Sequence, residues 1–171
     1  MGMDAIDEFN IAIKLKPDHV DALLELGKIQ TERLQFADAV KHFQRVLRAE
    51  PQRVDVLLAL GDAYLKQTDF RKALQVLQKA YRKAPGTKGL AYRLGRAYHD
   101  LDKRTNAVRF YLKAIKNDPS DPMPHYYLGH VYKAQGSNRK ALASFKRYLH
   151  LRPDAPDADE VRDEIYYMQN Q

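Results

Sequence analysis

The spacing of small and large residues predicts an all-α chain of antiparallel helix pairs, about ten helices in all. Three observations carry this expectation. Gly27, Gly61, Gly95 and Gly129 stand 34 residues apart, and so do Ala39, Ala73, Ala107 and Ala141. Pro51, Pro85, Pro119 and Pro153 keep the same interval. Inside each interval the apolar residues fall on one face of two successive helical stretches, as Leu23 and Leu26 do before Ala39, Phe43 and Val46. A fixed period of this kind belongs to stacked helical units, in which the large side chains of one unit are covered by the next.

The elements follow in chain order. Residues 1–19 read as the second helix of a truncated unit. Ala5, Phe9 and Ala12 share a face between Asp4 and Lys16, and Pro17 lies one period before Pro51. The partner first helix is missing, so the chain reads as a piece of a longer protein, with Met1-Gly2 as a cloning remnant and a native half-repeat cap as the alternative. The apolar face of Phe9 is then open and invites self-association. Four full units follow, at 20–53, 54–87, 88–121 and 122–155. Their helix pairs are expected at 21–34 with 36–49, 55–68 with 70–84, 88–101 with 105–117, and 123–135 with 139–151. Each proline ends a second helix, because it lacks an N–H and disfavours helical geometry in the residue before it. Ser120-Asp121-Pro122 is a good helix start, with a capping side chain and a proline in the first turn. After Pro153 the pattern changes. Asp157, Asp159, Glu160, Asp163 and Glu164 precede Ile165, Tyr166 and Tyr167, and acidic residues early in a helix suit its positive end. Residues 156–171 therefore read as a solvating C-terminal capping helix, and the whole chain as one domain.

Each unit also carries Leu-Gly with an aromatic three residues on: Leu60-Gly61 with Tyr64, Leu94-Gly95 with Tyr98, Leu128-Gly129 with Tyr132. Twelve residues after each glycine comes the alanine, then Phe43, Leu77, Tyr111 or Phe145 four further on. This pattern resembles the tetratricopeptide repeat (TPR) over nearly the whole chain. The departures are Leu23, Leu57, Ala91 and His125 at a position where tryptophan is common, Gln30 in place of the first tyrosine, and a turn glycine only at Gly136. The resemblance implies a right-handed α-solenoid whose first helices line a concave groove for a segment or surface of another protein. Carried over unit by unit, the groove positions are Leu24, Leu58, Tyr92 and Tyr126, then Lys28, Asp62, Arg96 and His130, then Thr31, Leu65, His99 and Lys133, with Arg93 and Tyr127 flanking. Tyrosine and arginine dominate binding hot spots, which singles out Tyr92, Arg93, Arg96, Tyr126, Tyr127 and His130. For Tyr92 and Tyr127, packing between neighbouring helices is the alternative. The TPR subclass that clamps chaperone tails implies Lys, Asn, Asn, Lys and Arg in turn at Leu24, Lys28, Ala59, Gly89 and Arg93, of which only Arg93 fits. The frame one unit later fits no better, so a chaperone clamp is not expected. The run from Pro153 to Ala158 looks like the ending of many bacterial TPR arrays.

Charge and chemistry bound the function. The 171 residues carry a formal net charge of +7, unevenly spread. Nineteen Lys or Arg lie between Arg71 and Arg152 against four acids, so an acidic partner is a reasonable reading of that stretch. Most of these cations sit on second helices, and Lys79, Arg82, Arg109, Lys113, Lys116, Lys146 and Arg147 form an expected basic convex patch. A merely solvated face is the alternative. There is no Cys, which fits a reducing compartment such as the cytoplasm and leaves a periplasmic or membrane-associated parent open. No apolar run reaches the roughly 20 residues that span a bilayer. No phosphate-binding loop, zinc-protease motif or nucleophile elbow occurs, and His125 and His130 are spaced poorly for a shared metal, so no enzyme activity, cofactor or small-molecule substrate is expected. The expected function is a non-enzymatic scaffold that binds a protein or peptide in its groove. The alternatives are an electrostatic adaptor whose convex face meets an acidic protein, a membrane or nucleic acid, and a self-assembling scaffold.

Overall fold

The computed structural model describes residues 4–170, which form ten α-helices and no strand. Met1-Gly2, read as a remnant, lies outside the described residues. The helices are α1 Ala5–Leu15, α2 Val20–Glu32, α3 Phe36–Ala49, α4 Val54–Lys66, α5 Phe70–Lys83, α6 Leu90–Asp100, α7 Arg104–Asn117, α8 Met123–Ala134, α9 Asn138–Leu151 and α10 Ala158–Gln169. The chain divides into two compact units, Met1–Pro85 and Gly86–Gln171. In the first, α2 pairs with α3 and α4 with α5, α3 packs on α4, and α1 lies on α2. In the second, α6 pairs with α7 and α8 with α9, α7 packs on α8, and α10 lies on α9.

Each pair closes around one contact. A Cβ added to Gly27 would lie 2.6 Å from the Phe43 ring, and one on Gly61 would lie 2.5 Å from a Leu77 methyl. Gly95 and Gly129 stand in the same relation to the rings of Tyr111 and Phe145. Those four large residues are fully buried, as is each repeat alanine. A mid-helix glycine costs about 1 kcal/mol of helix propensity; here it lets a large side chain pack directly on the backbone of the partner helix.

The turns inside the pairs are built alike. Leu34, Thr68, Asp102 and Gly136, again one period apart, all have positive φ, at 61°, 62°, 54° and 69°. The next residue's N–H reaches back five residues, as Asp69 does to Tyr64 and Ser137 to Tyr132, while the left-handed residue's own N–H bonds three back. This is the Schellman ending of a helix. Only the fourth turn has the glycine that this conformation favours. Between pairs, Glu50, Ala84, Asp118 and Arg152 take extended φ of −129° to −145° ahead of the prolines, as a residue before proline must.

The ends of the paired helices fall within two residues of expectation, and the two-residue offset at the start of α6 has a local cause. α6 starts at Leu90 rather than residue 88 because Gly89 sits at φ 74°. α8 starts where expected, with the Asp121 carboxylate accepting the Met123 N–H at 3.0 Å. In α10, Val161 and Met168 are buried against a cluster with Phe145 and Tyr148, whereas Tyr166 and Tyr167 remain 65 % exposed. On α1, Phe9 is half-buried; the exposed apolar residues there are Ile11 and Leu15 instead.

Substitutions at the pair contact and at the turn should act in opposite directions. Gly95→Ala gains about 1 kcal/mol of helix propensity but crowds a ring that has no room to retreat, at about 1–3 kcal/mol. Urea unfolding should give a net loss, larger than for Gly61→Ala, where the branched Leu77 can shift. Thr68→Gly relieves a β-branched residue in the left-handed region and should raise stability by about 0.5–1 kcal/mol in the same measurement.

Candidate partner-binding site

In the second unit, α6 carries Tyr92, Arg96 and His99 at helical spacing, so all three share a face. α8 carries Tyr126, Tyr127 and His130 beside them, and Tyr111 rises from α7 beneath. The Tyr127 ring stacks on Tyr111 with centroids 5.7 Å apart and planes 14° from parallel. Tyr92 lies 6.0 Å from Tyr127, and His99 meets Tyr127 edge-on at 5.8 Å. The Arg96 guanidinium sits 4.7 Å over the Tyr127 ring. Tyr126 continues the cluster, 5.2 Å from Tyr127 and 4.6 Å from His130. Such ring pairs contribute about 0.5–1.5 kcal/mol each, and a partly desolvated cation on a ring about 0.5–2 kcal/mol. These contacts join the side chains of α6, α7 and α8 into one packed cluster.

Its electrostatics follow from partial burial. Burial pushes the Tyr92 hydroxyl up to about 12, with Tyr127 adding to the effect and Arg96 opposing it. Burial works against the Arg96 charge, but its hydrogen bond to the Tyr92 hydroxyl and the nearby Tyr127 and Asp100 more than offset this. Arg96 also pairs with Asp100 at 3.6 Å. Burial lowers both His99 and His130, so each is neutral near pH 7. Among the described residues, nothing hydrogen-bonds the buried Arg96 Nε and His130 Nε2 of this cluster.

Tyr92, Arg96, His99, Tyr126, Tyr127 and His130, expected at groove positions, are brought together, and packing between helices claims part of Tyr92 and Tyr127. Arg93 is half-buried with its guanidinium tucked under Gly89. Lys133 is tied to Glu164 of α10 at 2.5 Å. The first unit lacks this arrangement. Leu24 is only 4 % exposed and belongs to the core, a correction to its expected groove position; α2 is covered by α1, α3 and α4 there. Thr31 and Leu65 are likewise buried, and Thr31 donates to the Gly27 carbonyl at 2.8 Å. Lys28 is exposed and paired with Glu25 at 2.6 Å, and Leu58 and Asp62 are half-buried. Of the basic patch, Lys79, Arg82, Arg109, Lys116, Lys146 and Arg147 are exposed and Lys113 is half-buried.

Sequence reasoning passed over two supports. Tyr111 reads only as the large residue of its repeat, yet it underlies the cluster, and Tyr148, which drew no expectation, packs 5.1 Å from Tyr126 while donating to Asp157. For Tyr111 the signal was a hydroxyl at the repeat position that is Phe or Leu in the other units.

The tetratricopeptide repeat family matches residues 3–54, 32–86 and 58–122, and a second match of the same description covers 110–143. The chain belongs to the TPR family. No curated protein matches the sequence. Among solved structures, MamA from Desulfovibrio magneticus RS-1 (residues 41 to its end) gives a TM-score of 0.81 at 21 % identity, over 88 % of this TPR chain and 85 % of that one. YrrB, a TPR protein with an unusual peptide-binding site, gives 0.74 at 17 % identity over 95 % and 84 %. A thermophilic TPR protein of Thermus thermophilus gives 0.74 at 21 % identity over 97 % and 89 %. At these identities the likeness is one of fold. Among the described residues, no group of three or more His, Asp or Glu converges as metal ligands, and no helix is long and apolar enough to cross a membrane.

Burial lowers His42, His99, His125 and His130 from the ordinary 6.5. The unfolded chain then binds protons first, so this stabilisation is complete above 6.5 and is lost as pH falls through the lowered values. The thermal midpoint should drop between about pH 7 and about pH 5, above the carboxylate range, and the drop should shrink in His99→Gln/His130→Gln. A flat profile would contradict the burial of these rings.

Proposed function

We propose that this TPR chain is a non-enzymatic scaffold that binds a peptide segment or protein surface through Tyr92, Arg96, Tyr126, Tyr127 and His130. The observation that carries the reading is the aromatic cluster itself, in which the Arg96 guanidinium lies over Tyr127 and Tyr126 meets both Tyr127 and His130. The tyrosine faces supply contact area at little entropic cost, because their rotamers are fixed in advance. The permanent charge of the Arg96 guanidinium favours a carboxylate over a backbone carbonyl. Membership of the TPR family and the likeness to the fold of YrrB, a TPR protein with a peptide-binding site, support this reading. The ligand is therefore a segment that places an acidic side chain or chain terminus on Arg96 and apolar or aromatic groups on the tyrosines.

Selection from a random-peptide phage library tests this. Selected peptides should be enriched in acidic residues, and Arg96→Ala or Tyr127→Ala should weaken them by about tenfold or more. Lys28→Ala should leave them unchanged. Equal binding by all three variants would sink the assignment.

A further inference from the structure

The first unit contains a second recessed surface, on the side formed by α3 and α5. A cleft of about 560 Å³ runs between these two helices. Its walls repeat at helical spacing: Gln44, Leu47 and Arg48 on α3, and Lys72, Val76 and Lys79 on α5. Leu57, Leu60 and Tyr64 of α4 form the floor. A further cleft of about 310 Å³ shares Pro51, Leu57 and Lys79 with the first and extends it past Arg82 and Lys83. From Lys72 to Lys83 the groove is about 17 Å long at about 1.5 Å per residue, three turns of helix.

The charge around it is one-sided. Among the described residues, no carboxylate lines either cleft. Lys72 is held by Asp69 at 2.6 Å and lies over the Tyr64 ring at 5.7 Å. Among the described residues, Arg48, Lys79, Arg82 and Lys83 make no ion pair. Cations grouped around a partly apolar trough repel one another, and an acidic partner relieves that repulsion. A flat lipid surface cannot descend to Leu57 and Leu60, which are buried beneath the rims. Nucleic acid is poorly matched as well, because the ring that lines the groove, Tyr64, is buried under Lys72 and offers no open face for base stacking.

We propose that the α3–α5 groove is a separate docking site for an acidic amphipathic helix of about three turns. Its apolar stripe lies along Leu47, Leu57 and Val76, and its flanking carboxylates meet Arg48, Lys79, Arg82 and Lys83. The site is independent of the aromatic cluster on α6 and α8.

The test is fluorescence anisotropy with a labelled synthetic peptide that has Leu at i, i+3, i+4 and i+7 spacing and Glu on the flanks. A scrambled peptide of the same composition and phosphatidylserine vesicles serve as the comparisons. The patterned peptide should bind, and the scrambled one should bind at least about tenfold more weakly. Lys79→Glu and Arg82→Glu should each weaken the patterned peptide by about tenfold, Lys79→Gln by less, and Arg96→Ala should have no effect. Lys79 and Arg82 are exposed, so circular dichroism should register no loss of helix in their variants. Equal binding of the scrambled peptide, or binding unmoved by Lys79→Glu and Arg82→Glu, would overturn the proposal. So would vesicle binding that Lys79→Glu abolishes while the patterned peptide fails to bind; that result would assign the face to lipid.

Discussion

The contact between a mid-helix glycine and the large side chain sixteen residues later decides the rest of the structure. It occurs in all four helix pairs, and in each a single added carbon would come closer than 3.0 Å to the opposing side chain. A helix pair can approach this closely only where one backbone is bare. Once it does, the large residue is sealed from water, and its neighbours on both helices are fixed in rotation. Arg96 follows Gly95 and His130 follows Gly129 in sequence, so the closest helix approach is also what aims the site residues.

The same contact explains why the aromatic cluster lies in the second unit. Where Gly95 receives a tyrosine, that tyrosine carries the stack onward to Tyr127 and Arg96. Where Gly61 receives Leu77 there is no ring, and where Gly27 receives the Phe43 ring no aromatic stands at Leu58 or Ala59 of the next first helix to take up the stack. One period before Tyr92 and Arg96 stand Leu58 and Asp62, which supply neither an aromatic face nor a cation. The first unit instead develops cations along α3 and α5. Two surfaces of different chemistry thus arise from one repeated plan.

Most of the fold was legible because it rests on a period. Glycines, alanines and prolines recur at one interval, and helices follow from that without long-range information. The shared left-handed turn was only partly legible: Gly136 announces it and Asp102 tolerates it, but Leu34 and Thr68 adopt it against their own preference because the Schellman hydrogen bonds and the helix pairing hold it in place. The candidate site was legible only as a set of tyrosines and an arginine on first helices, whose clustering the structure adds. What the sequence could not supply was depth. Leu24 sinks into the core because three helices surround α2, Tyr111 supports the site from below although its repeat position is that of a core residue, and Lys133 is drawn off to Glu164 by a capping helix whose docking no periodicity specifies.

The most direct test of the link between pairing and site is the Arg96 Nε–H resonance in solution NMR. A guanidinium held over the Tyr127 ring should give an upfield-shifted signal, protected from exchange with water, that moves back towards the free-arginine position in Gly95→Ala. A wild-type signal already at the free-arginine position and in rapid exchange would contradict this link, because the cation would then not be held on the ring that the glycine contact is said to place.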